Sequence, residues 1–143
     1  MTKKKYYQLA TMAVCLLLLS SCASPHIGRS VNTNYEGVCN FKTFPASCSS
    51  IDKNLSIEYQ IEKTGKIGEY ILTGTADNLL GGNFSRYYDF TMYFLLVHNR
   101  TVVESVGVMG RTGLNAAKTA FSRTFTTPNE FEASLATYSF TYK

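Results

Sequence analysis

The residues with the most chemical potential in this 143-residue chain are His98, the pair Glu130 and Glu132, and the pair Cys39 and Cys48. Hydrolysis by a serine nucleophile needs a histidine base within hydrogen-bond reach. Of the two histidines, His26 precedes the segments expected to fold, and His98 ends a strand-like run just before Asn99-Arg100, which reads as a turn. His98 is therefore expected to be a turn-edge histidine, and no Gly-x-Ser-x-Gly elbow accompanies it. On a strand, Glu130 and Glu132 would share a face at about 6.6 Å, inside the range of about 5 to 9.5 Å that glycosidic cleavage uses. Nothing in their surroundings predicts the burial that would raise one pKa, so they read as solvated charges. Glu58 and Glu62 are about twice as far apart. The stretch "LLGGNFS" lacks the lysine and the spacing of a phosphate-binding loop. The sequence predicts no catalytic residue, no cofactor and no enzymatic activity.

Cys39 and Cys48 lie in "VCNFKTFPASC". In an oxidising compartment two leftover cysteines pair, and a disulfide over so short a loop contributes about 2–3 kcal/mol. The competing metal pair lacks the three or four ligands at set spacing that zinc requires, so no metal is expected.

The compartment is set by the first residues. Lys3, Lys4 and Lys5 form a positive cluster, residues 9–19 are apolar but for Thr11, and Ser20-Ser21 lead to Cys22. This order describes a secretory signal peptide; the apolar run is about half the 20 residues that a membrane-spanning helix needs. Leu19-Ser20-Ser21-Cys22 resembles the lipobox of bacterial lipoproteins. The resemblance implies cleavage before Cys22, a diacylglycerol on its sulfur and an acyl chain on its new amino group, a stable multi-chain anchor. Ala23, rather than Asp, follows; in a Gram-negative cell this implies sorting to the outer membrane, facing the periplasm. Of the 14 Lys and Arg, three leave with the signal, so 11 remain against 10 acidic residues, a net of +1. That balance lacks the sustained basic surface a nucleic-acid binder needs.

The expected organisation is a signal peptide over 1–21, a lipidated flexible tether over 22–36 and one domain over 37–143. In the domain the hydropathy period is two. Leu55, Ile57, Tyr59 and Ile61 alternate with Ser56, Glu58, Gln60 and Glu62, which predicts a half-buried strand. Lys63-Thr64-Gly65-Lys66 reads as a turn into a second strand over 67–76. Residues 77–85 read as a loop. Residues 87–99 are apolar on both faces and predict a central or doubly covered strand. Residues 101–109 predict a further strand and 110–115 a loop. Residues 116–126 suit a helical turn or a strand, and 131–143 a closing strand. The class is all-β, a small antiparallel β-sandwich of about six to eight strands with one disulfide.

The middle of the chain resembles the FxLYD family of small immunoglobulin-like domains. Thr73 to Asn78 stands for its glycine-containing strand, Phe90-Thr91-Met92-Tyr93-Phe94 for the Phe-x-Leu-Tyr-Asp motif, and "HNRTVVES" for the following turn. Met92 replaces the leucine and Phe94 the aspartate. The resemblance implies an immunoglobulin-like sandwich serving as a binding or structural module.

Eight of the ten tyrosines follow Cys22. Tyrosine suits interfaces because it is both apolar and hydrogen-bonding. Tyr87, Tyr88, Tyr93, Tyr138 and Tyr142 are the candidate binding face. The expected function is a lipid-anchored, non-catalytic binding or assembly module that is held to the membrane through Cys22 and docks an envelope protein or stacks a glycan. Its alternatives are an inhibitor of a lysozyme-like or protease enzyme, acting through a loop at residues 81–86, and an accessory lipoprotein of a secretion or pilus system.

Overall fold

The computed structural model describes residues 24–51, 55–79, 88–112 and 118–142. The expected signal peptide, Cys22, Tyr87 and the loop residues 81–86 lie outside the described residues. Eight strands follow in order: β1 (Val38–Asn40), β2 (Ala46–Ile51), β3 (Leu55–Lys63), β4 (Glu69–Asn78), β5 (Tyr88–His98), β6 (Thr101–Thr112), β7 (Lys118–Thr126) and β8 (Ala133–Tyr142). They form two four-stranded antiparallel sheets, β1-β8-β5-β6 and β2-β3-β4-β7. The all-β sandwich and the Cys39–Cys48 disulfide match the expectation from the sequence.

The alternation in β3 drives the layering. Leu55, Ile57, Tyr59 and Ile61 point inward with Leu72 and Ala76 of β4 and meet Met92, Phe94 and Leu96 of β5. Phe94 packs edge-on against Tyr59 at 4.8 Å and tilts against Phe121 of β7 at 5.3 Å. Gly74 makes the space for these rings: a Cβ there would press on the Glu58 carbonyl and reach 2.5 Å from Phe121 Cζ. Phe41, Phe44, Tyr70, Phe125 and Phe131 add a run of ring contacts at 5.0 to 5.9 Å beside this core. The Lys63 ammonium sits 5.1 Å over Phe44, a cation–π contact.

Strand β5 is both central and covered on both faces. Its other face carries Leu95 and Val97, which form a second cluster with Val38, Val102 and Ala133. The cover comes from the N-terminal segment. Gly28 donates to the Val102 carbonyl, Val102 to the Arg29 carbonyl and Val31 to the Arg100 carbonyl, at 2.8 to 2.9 Å. Ser30 makes an isolated bridge to Thr101, Val31 packs into the second cluster, and the His26 ring lies 5.2 Å from Tyr93. Residues 26–31, expected within a flexible tether, thus form a bound strap.

Several boundaries differ from expectation. Ile67 is fully exposed in the β3–β4 turn, which closes at Gly68 with φ +71°, so β4 begins two residues later than expected. Residues 110–112, expected as loop, extend β6 because they pair with β5 back to Tyr88. Residues 118–126 form a strand, not a helical turn, because β4 offers them a complete antiparallel partner. Glu130 and Glu132 precede β8, so the strand spacing expected for them does not apply.

Candidate binding surface

The outward positions of β2, β3 and β4 align in register into a polar grid. Ser47 faces Gln60 and Gln60 faces Thr73; Ser49 faces Glu58 and Glu58 faces Thr75. Each sits between inward-facing core residues, because side chains alternate along a strand. Together they line a shallow depression of about 510 Å³ whose floor is Cys48, Tyr59 and Gly74. Gln60 donates to Glu62 on the same face at 2.8 Å. The surface offers hydroxyls, an amide and a carboxylate, which suits a hydrogen-bonding ligand or a docked polar chain. Cys48 is held in the disulfide and Tyr59 is buried, so neither offers a nucleophile there.

The floor is braced from behind. Cys39 of β1 and Cys48 of β2 are bonded across the two sheets, with their Cα atoms 5.7 Å apart. Cys39 stands opposite Ser134 in register, and Cys48 opposite Tyr59. The Tyr59 hydroxyl and Ser134 Oγ lie 2.7 Å apart, a second tie between the same layers. Both residues are buried. Burial pushes the Tyr59 phenol up to about 12, opposed in part by the Ser134 hydrogen bond.

His98 occupies a turn edge, as expected. Asn99 and Arg100 both have positive φ, 48° and 62°, the conformation a two-residue hairpin turn requires. Glu132 holds the turn: its Oε2 is 2.6 Å from His98 Nδ1, and its Oε1 accepts from the Asn99 amide at 2.8 Å. His98 Nε2 is 3.0 Å from the Asn99 side-chain amide. Both ring nitrogens therefore have partners, Glu132 from just before β8 and Asn99 in the turn. The Glu132 contact was not legible from the sequence, since it joins residues 34 apart.

The five candidate tyrosines do not gather on one described face. Tyr138 packs against the interlayer core, whereas Tyr93 packs into the second cluster on the opposite face of its sheet. Opposite faces follow from register: Tyr138 faces Met92, one position from Tyr93. Tyr88 and Tyr142 are register partners at the β5–β8 end, and Tyr87 lies outside the described residues. Cys39 and Cys48 are joined as expected. Sequence reasoning missed Ser47, Ser49, Gln60, Thr73 and Thr75 as a surface. The available signal was the polar half of the alternation in β3, whose neighbours only the pairing reveals.

A second cleft, of about 270 Å³, opens between edge strands β6 and β7, lined by Glu104, Ser105, Arg123 and Phe125 among others. Ser105 Oγ is buried beside it without a hydrogen-bond partner. No protein-family model, curated protein or solved structure matches this chain.

Proposed function

We propose that this chain is a lipid-anchored bacterial envelope protein that works as a non-catalytic binding or assembly module on the periplasmic side of its membrane. In a Gram-negative cell that membrane is the outer one. The anchor rests on the Leu19-Ser20-Ser21-Cys22 pattern behind a signal-like apolar run. The Cys39–Cys48 disulfide suits an oxidising compartment. The observation that carries the binding role is the concave polar face across β2, β3 and β4. It presents Ser47, Ser49, Glu58, Gln60, Thr73 and Thr75 on a paired sheet braced by the Cys39–Cys48 bond, and a backbone already ordered has little entropy to lose on binding. A carboxylate on Nδ1, as Glu132 provides for His98, also orients catalytic histidines, but the Asn99 side-chain amide occupies Nε2, the nitrogen such a base would present, and this favours a non-catalytic reading.

The test is photo-crosslinking in intact cells, with a photoreactive residue at Gln60 or Thr75 of the full lipidated protein and a control at exposed Ser139 on the other sheet. One dominant envelope adduct from Gln60 and Thr75, absent from Ser139, is the expected result. Turnover of an envelope glycan or ester by the purified protein, abolished by His98→Ala, would overturn the reading.

A further inference from the structure

The strap fixes where the chain enters the domain, and so where a lipid on Cys22 would sit. The His26 ring is tilted against Tyr93 at 5.2 Å, and residues 28–31 are hydrogen-bonded along Arg100 and the start of β6. Three residues lie between Cys22 and His26, and the four Cα-to-Cα steps reach at most about 14 Å. That reach is short against a small domain's diameter of about 30 Å, so the anchor cannot swing to the far sheet while the strap is bound.

The surface nearest that point differs from the rest of the molecule. Tyr93 and Met109 project from the same face, since Tyr93 faces Gly107, two residues before Met109. Met109 is 80% exposed although its neighbour Val108 is core. The strap adds Ile27, 43% exposed. Two of the six large apolar side chains exposed among the described residues thus belong to this face and its strap; Tyr35, Ile51, Ile67 and Leu79 stand singly, Ile51 at the end of β2. Tyrosine and a flexible thioether suit the boundary between headgroups and acyl chains, whereas the opposite sheet face is polar.

We propose that the strap-covered outer face of the β1-β8-β5-β6 sheet, through Ile27 of the strap and Met109 of β6 with Tyr93 half-buried beside His26, rests on the lipid bilayer that holds Cys22, turning the polar β2-β3-β4-β7 face toward the periplasm. The proposal rests on the reading of Cys22 as the anchor. It assigns the two sheets different duties: one seats the protein and the other meets the partner.

The test uses the full lipidated protein in vesicles of phosphatidylethanolamine and phosphatidylglycerol. Ile27→Cys, Met109→Cys, Ser49→Cys and Thr73→Cys each carry an environment-sensitive fluorophore, with nitroxide-labelled phospholipid as quencher. Quenching several-fold stronger at positions 27 and 109 than at 49 and 73 is the expected result. Equal quenching of all four in protein that floats with the vesicles overturns the seating but leaves the anchor intact. Protein that fails to float overturns the anchor and the seating together. A blue-shifted probe at position 109 in vesicle-free Cys22→Ala protein places a second copy on this face and overturns the lipid assignment.

Discussion

The Tyr59–Ser134 contact is the sharpest test of how the two layers are joined. Tyr59 is 4% exposed and Ser134 fully buried, and their oxygens lie 2.7 Å apart. Tyr59→Phe leaves Ser134 Oγ with only the bonded Cys48 sulfur, 3.8 Å away and a weak acceptor. Ser134→Ala leaves a phenol in the core with no partner. Stranding a buried polar group costs about 1–3 kcal/mol, whereas removing both partners costs little more than the net bond, about 0.5–1.5 kcal/mol. Each single variant should therefore lose about 2 kcal/mol and the double variant only about 1 kcal/mol, a coupling of about 3 kcal/mol. At about 4–8 °C per kcal/mol for a domain of this size, each single variant should melt about 10 °C lower. Urea unfolding of the oxidised Cys22→Ala chain measures all four corners of the cycle. Additivity within about 0.5 kcal/mol would refute the contact as a tie between sheets.

Three further outcomes follow from the same core. Because the Tyr59 phenol is raised to about 12 in the folded chain, the unfolded chain sheds its proton first as pH rises past about 10. Stability should fall between pH 10 and 12 by about 2–3 kcal/mol, and Tyr59→Phe should flatten that part of the urea-midpoint profile. The disulfide closes a loop of sequence separation 9, so Cys39→Ala/Cys48→Ala should lower unfolding free energy by about 2.6 kcal/mol, read by urea unfolding against the oxidised parent. Gly74→Ala drives a methyl group against backbone at Glu58 and within 2.9 Å of Tyr59 Cα; a loss of about 3 kcal/mol or more should appear as a large drop in melting temperature by circular dichroism.

The layer structure was legible where the pattern is local. The alternation of Leu55 to Ile61 and the two apolar faces around Phe94 and Leu95 follow directly from side-chain period and burial. Phe121 and Phe125 fit both periods, so pairing with β4 decided between helix and strand. The strap was read as tether because a segment lying across a sheet bonds through its backbone and needs no hydropathy period of its own. The tyrosines failed as a group for a related reason. Composition supplies their number, but their sidedness depends on register, and one step of register reverses every face. Glu130 and Glu132 were given a strand's spacing, yet Pro128 and the 127–132 turn region precede the strand. The polar grid was half visible: β3 announced a wet face, and only its neighbours made that face a depression.

The Cys39–Cys48 bond also has a mechanical meaning. It joins β1 to β2, which are edge strands of their respective sheets, and Tyr59–Ser134 lies one strand inward. The opposite edges, β6 and β7, are parted by the cleft at Glu104 and Arg123. The sandwich is therefore bound like a book, stitched covalently along its spine and held by core packing along its fore-edge. The stitched strands stay joined however far the layers part, whereas β6 and β7 stay together only while the core between them is packed. A load applied between the sheets would be borne by one covalent stitch and its hydrogen-bonded neighbour.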